Sequence, residues 1–361
     1  MKARMVNPDF RYKPFGILRF VLALMVLAQH FAADISPHAI HNALYPWAVG
    51  NVALLGFFIL SGFIISEAYH FNYNVRPVAY IKNRFLRIVP GYWAALTLSL
   101  MVHWFLLQKL GQLWSLDKLS ITTIHFGFNN LWQNFLSIIP PVKVNVTEDE
   151  YPFIPYAWAL QTEMMFYITV FFVGLLYPTA KKIINMPQGY YMSLAAFAGI
   201  AAASLVQLGY LPKQLAYGSY FAFGGSLFFV IQGYRKAWIV LIPALAQMLW
   251  HFSTYEADAF QVIPANRPGQ FLLLGLILLA VWILATIKVE NVKVDKWFGD
   301  LSYPLYLNHY VIAVVILNVA TGFSIVWLVG GLIASLALTW VMYVLIERPL
   351  LSLRKKVREK K

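Results

Sequence analysis

Residues 18–31 read LRFVLALMVLAQHF, an apolar run that carries one arginine, Arg19, and one histidine, His30. It belongs to an apolar stretch at about 15–33, close to the roughly 20 residues that an α-helix needs to cross a bilayer core. A charged side chain at that depth costs at least about 2.5 kcal/mol, so Arg19 demands compensation. The two residues are 11 positions apart, which is about 16.5 Å along a helix and roughly 20° past three full turns. They therefore share one face, with a cation near one end and an imidazole near the other. The plainer alternative is that Arg19 snorkels to one headgroup layer and His30 to the opposite interface, with no function.

Similar runs fill the chain. Of its 361 residues 60% are hydrophobic and 12% are charged, against roughly 25% charged in soluble chains. The fold class is an all-α integral membrane protein. Ten spans are read, at about 15–33, 47–68, 90–108, 157–178, 189–209, 214–232, 236–252, 268–287, 301–320 and 324–346. With a cytoplasmic N-terminus, 22 of the 28 Lys and Arg fall on inner segments and five on outer ones. The positive-inside rule then puts both termini in the cytoplasm. The net charge of +13 is a topology signal, which removes the reason to invoke nucleic acid. With no cysteine, disulfides and thiolate metal sites are excluded, and no metal is called for. Three regions follow: a cytoplasmic segment at 1–14, a transmembrane unit at 15–346 and a basic cytoplasmic tail at 347–361.

Residues 119–139, LSITTIHFGFNNLWQNFLSII, compete for a further span. A crossing there would move the later lysine pairs outside, so an outer-surface or re-entrant helix is expected. The acidic run Glu148, Asp149 and Glu150 follows it.

Four more stretches carry chemistry. GFFILSGFII (Gly56–Ile65) sets Ser61 beside a glycine, the pattern of a close helix contact. YIKNRFLRIVPGYW (Tyr80–Trp93) places Arg84 and Arg87 on one face just before the third span, with Pro90 at its start; headgroup anchoring is the simpler reading of that pair. WALQTEMMFY (Trp158–Tyr167) buries Glu163 about 9 Å into the fourth span. That depth matches His30, and a lone carboxylate there is costly, so a histidine partner is expected. LSYPLYLNHY (Leu301–Tyr310) opens the ninth span and carries His309 inward.

Together these stretches resemble the acyltransferase-3 family of bacterial integral-membrane acyltransferases, over about residues 13–350. Its Arg-x10-His appears as Arg19 and His30, and its Phe-Phe-x-Leu-Ser-Gly-Phe as Phe57 to Phe63. Its Arg-x-x-Arg-Ile-x-Pro-x-Tyr appears as Arg84, Arg87, Ile88, Pro90 and Tyr92. Its Trp-x-Leu-x-x-Glu-x-x-Phe-Tyr appears as Trp158, Leu160, Glu163, Phe166 and Tyr167, and its late motif as Ser302, Tyr303, Tyr306, Leu307 and His309. Met164 stands where many members carry a second glutamate, and Ala159 where serine is common.

The resemblance implies O-acylation of an extracytoplasmic glycan or lipid-linked sugar, with acyl-CoA, commonly acetyl-CoA, as donor. Lipopolysaccharide O-antigen, exopolysaccharide, periplasmic glucan, lipid-linked sugar and peptidoglycan are all compatible acceptors, succinyl or longer chains are compatible acyl groups beside acetyl, and membrane lipid surrounds the unit. Arg19, Arg84 and Arg87 are then suited to the donor's phosphates. His30 is implied to be catalytic with Glu163, either as general base or as the nucleophile of an acyl-imidazole. Ser61, Tyr167, Tyr303 and His309 are additional candidates. No appended hydrolase-like domain is read, so the chemistry is expected within the membrane unit. A transporter or flippase of a glycan or acyl carrier is the rival; it would favour repeated halves with broken helices, and no repeat is visible.

Overall fold

The computed structural model describes residues 13–73, 76–114, 120–121, 127–142, 144, 151–184, 191–211, 213–254, 266–287, 292–320, 322 and 324–359. The acidic run at 148–150 lies outside the described residues. The helices are α1 (Gly16–Asp34), α2 (His38–Leu44), α3 (Val49–Glu67), α4 (Pro77–Leu110), α5 (Phe128–Leu136), α6 (Ala157–Ile184) and α7 (Tyr191–Gln207). They continue with α8 (Gly218–Ile231), α9 (Trp238–Thr254), α10 (Arg267–Thr286), α11 (Val292–Val319), α12 (Ile325–Met342) and α13 (Arg348–Glu359). A short antiparallel pair, β1 (Leu113–Trp114) and β2 (Ser120–Ile121), precedes α5.

Nine helical stretches among the described residues are long and apolar enough to cross a membrane. The 17 residues of α7 supply a shorter tenth, about 26 Å at the helical rise. The 9 residues of α5 reach only about 14 Å and cannot cross. Helix direction gives an independent check. Gly16 meets Asp295 and His30 meets His309, both at an offset of 279 residues, so α1 and α11 run parallel. Parallel helices must be spans of the same parity. That holds when α7 crosses and α5 does not, which makes α11 the ninth span.

Three boundaries differ from the sequence reading. Helix α4 starts at Pro77, so Pro90 sits inside the helix and Arg84 and Arg87 lie within it. The polar face of its first turns is covered by protein rather than headgroups, which lets the helix continue. Pro77 takes the first-turn position, where its missing N–H is harmless. Helix α11 begins at Val292, nine residues before the expected 301. The basic tail is a helix, α13, which docks along the start of α4: Asn83 Nδ2 donates to the Arg354 carbonyl at 2.8 Å.

Small residues close the centre of the bundle. A Cβ on Gly62 would overlap the Phe221 carbonyl of α8, and one on Gly224 would overlap the Ile59 carbonyl of α3. Helices α3 and α8 thus touch backbone to backbone, as expected where lipid gives helices no hydrophobic reason to associate. Ser61 is turned about 100° from Gly62 and faces away from α8. Gly62→Ala should cost about 1–3 kcal/mol by overpacking and lower the thermal unfolding midpoint in detergent. Gly275→Ala is the control, because a Cβ there meets nothing within 4 Å; its midpoint should hold or rise. Equal shifts in both variants would contradict the close α3–α8 contact.

Candidate active site

All five motif-bearing stretches meet at one cavity. It is a slot whose empty volume, including the part open to solvent, is about 720 Å3. Arg19 comes from α1, Ser61 from α3, Arg84 and Arg87 from α4, Glu163 and Tyr167 from α6, and Tyr303 and Tyr306 from α11. Apolar side chains such as Phe57, Phe58 and Leu160 complete the walls.

Arg84 is the most demanding of these residues. It is 4% exposed, and its guanidinium lies 5.5 Å from the centroids of both the Tyr80 and Tyr167 rings. Two ring faces offset part of the desolvation cost, at roughly 0.5–2 kcal/mol each. Its Nε is buried without a hydrogen-bond partner, and no described residue accepts a hydrogen bond from the rest of the group. A buried guanidinium with donors to spare, lining an open slot, is built to meet an anion.

Glu163 is held from two sides. Ser61 Oγ donates to its Oε1 at 2.9 Å, and the Tyr167 hydroxyl donates to the same oxygen. The expected hydrogen bond to His30 is absent. The reason is depth: the His30 ring packs at 4.4 Å from the Tyr156 ring, and Tyr156 precedes the first turn of α6. Glu163 lies seven residues further along, about 10 Å deeper. His30 is therefore at the very edge of α6 rather than beside its second turn.

The partner of His30 is His309, with ring centroids 5.4 Å apart. His309 is fully buried and also stacks on Tyr156 at 5.1 Å. Its Nδ1 lies 3.1 Å from the Leu305 carbonyl, one helical turn back. With Nδ1 as the donor, Nε2 carries the lone pair, and Nε2 has no hydrogen-bond partner among the described residues. Neither histidine lines the slot. Tyr306 stands between, since it lines the slot, donates to the Tyr156 carbonyl at 3.2 Å and packs its ring 6.3 Å from that of His309.

At the other end of the slot the α1–α11 pair holds Arg19. A Cβ on Gly299 would overlap the Arg19 guanidinium, and Asp300, next in sequence, faces Arg19 and Arg87. Glu347 faces Arg87 and Asp300 as well. The Tyr303 hydroxyl donates to the Ile88 carbonyl at 2.7 Å, tying α11 to α4 near Pro90. The sequence reading missed Asp300, Glu347 and Tyr156. Both acids sit at the edges of apolar runs, so longer helices would have exposed them as intramembrane carboxylates. Tyr156 carries no signal beyond its place just before a span.

The fold and this slot define a polytopic membrane protein with a buried, arginine-lined site. Residues 15–344 match the family model described as an acyltransferase domain, and the chain belongs to that acyltransferase family. The exopolysaccharide production protein ExoZ of Rhizobium meliloti (strain 1021) is 25% identical over 324 residues, covering 87% of this chain and 93% of that protein. No solved structure matches the chain.

Tyr167→Phe keeps the ring over Arg84 but removes a donor from Glu163. It should lower stability by about 1–3 kcal/mol, the cost of a buried carboxylate oxygen losing a partner. Tyr167→Leu, which also removes the ring, should lower the unfolding midpoint in detergent further. Identical midpoints for the two variants would show that the Arg84–Tyr167 contact contributes nothing.

Proposed function

We propose that this acyltransferase takes an acyl group, acetyl by resemblance, from cytoplasmic acyl-CoA and places it on a hydroxyl of an extracytoplasmic glycan or lipid-linked sugar. The observation that carries the reading is Arg84, buried in the slot wall with unspent donors and flanked by Arg87 and Arg19. A polyanionic donor would satisfy that end, because guanidinium–phosphate hydrogen bonds are the strong, charge-assisted kind. The basic ends of α1, α4, α11 and α13 would face the cytoplasm under the positive-inside rule. ExoZ, a relative named for exopolysaccharide production, fits a polysaccharide acceptor.

In the reaction the thioester C–S bond breaks and a C–O bond to the acceptor forms. The acceptor hydroxyl gives up its proton and the coenzyme leaves as its thiol. His30 would take the hydroxyl proton as general base, or carry the acyl group briefly on a ring nitrogen. His309, whose ring lies 5.4 Å from that of His30 and whose Nε2 has no partner among the described residues, would steady the charge that His30 gains. Glu163 would act on the wall of the slot, fixing Tyr167 and through it Arg84. To reach His30 the acyl end must pass Tyr306.

Purified protein given labelled acetyl-CoA and a glycan acceptor should transfer the label. His30→Ala should lower transfer by about 10²-fold or more, the usual contribution of a positioned acid–base group. Arg84→Ala should instead weaken the donor's apparent affinity by about tenfold or more. Full activity of folded His30→Ala would remove His30 from the reaction, and no label transfer by the wild type would favour a transporter.

A further inference from the structure

The tail helix α13 brings a basic residue beside the arginines that line the slot. Its other cations, Arg348, Lys355, Lys356 and Arg358, face outward, whereas Arg354 is turned inward. Asn83, itself 4% exposed, fixes it: Nδ2 donates to the Arg354 carbonyl at 2.8 Å, and Arg354 Nε reaches Asn83 Oδ1 at 3.5 Å. Arg76 Nη2 holds the end of the same helix through the Arg358 carbonyl at 3.0 Å. The docking is specific, and it places the Arg354 guanidinium within the fields of Arg87 and Arg84, with Glu347 as counter-charge.

Such an arrangement opposes itself. Arg354 faces Arg87 and Arg84, its counter-charges Glu347 and Asp300 are shared with Arg87, Asp300 also faces Arg19 and Lys296, and like charges in a half-buried place repel strongly. A tail meant only for headgroups would turn Arg354 outward with its neighbours. The group also has a defined place in the order of the site. Arg84 and Arg87 line the slot, whereas Arg354 does not and contacts Asn83, nearer the start of α4. It stands outside the slot lining, beside the two arginines that belong to it.

Building on the proposed acyl-CoA donor, we infer that Arg354, carried by α13, binds the ribose 3′-phosphate of the coenzyme while Arg84 and Arg87 hold its diphosphate. With the thioester directed inward, the diphosphate lies midway along the molecule and the 3′-phosphate lies at its far end. The phosphate left outside the slot then falls to the arginine outside its lining. The tail helix joins the helices of the donor site, and Arg354 makes the site selective for a 3′-phosphorylated nucleotide.

Equilibrium binding of coenzyme A and of 3′-dephospho-coenzyme A to the purified full-length protein tests this. The wild type should prefer coenzyme A. Arg354→Gln should weaken coenzyme A by about tenfold and leave 3′-dephospho-coenzyme A unchanged, so the preference disappears. Unchanged dephospho binding also certifies the fold of the variant. If Arg354→Gln weakens both ligands alike, or neither, while Arg84→Ala weakens both, the donor site stands and the role of Arg354 is overturned. If the wild type binds neither ligand, the donor reading fails and the inference fails with it.

Discussion

The Asp295 carboxylate accepts hydrogen bonds from the Gly16 and Ile17 amides at 2.8 and 2.9 Å, and the site depends on that contact. The first amides of a helix have no intrahelical acceptor, and α1 has no capping side chain of its own. An anion from α11 satisfies two of them and complements the positive end of the helix dipole. It also sets the register of the pair. Gly16 and Gly299 have no Cβ where one would overlap the partner helix, so the backbones close and the 279-residue offset carries through to His30 and His309. One contact at the basic end thus positions two imidazoles more than 20 Å away along the helix axes.

The rest of the site follows from the cost of polar groups in a bilayer. Ser61, Tyr303 and Tyr306 each hydrogen-bond to another helix or to the segment before α6. Arg84 is held by ring faces instead. These links join α3, α4, α6 and α11 around the slot, with guanidinium groups on its wall and the two imidazoles beyond Tyr306. Between them stand the Tyr156 and Tyr306 rings, 6.3 Å apart.

Much of this was legible in the chain. Arg19 and His30 share a face because 11 residues return a helix almost to its starting angle, and their common partner is a single helix. Ser61 beside Gly62 was readable as a close helix contact, and the structure puts the glycine on α8. The non-crossing of 119–139 was readable from lysine placement, and helix parity agrees. The partner of His30 was not legible. Counting depth from the ends of apolar runs carries an error of one or two turns, enough to place Glu163 beside His30 when Tyr156 stands there instead. The extents of α4 and α11 were hidden for a related reason. Their polar turns are covered by other helices, and hydropathy along one chain does not register cover supplied by another. The docking of α13 depends on Asn83, an amide with no signal outside the assembled bundle.

The central claim of the proposal is that an acyl group passes from the arginines that line the slot to the histidines beyond Tyr306, across the membrane. The direct test is transfer between separated compartments. Protein would be reconstituted with α13 facing the vesicle lumen, labelled acetyl-CoA sealed inside and a glycan acceptor supplied outside. The account expects label on the external glycan, dependent on His30. Label appearing only on acceptor enclosed with the donor would contradict it.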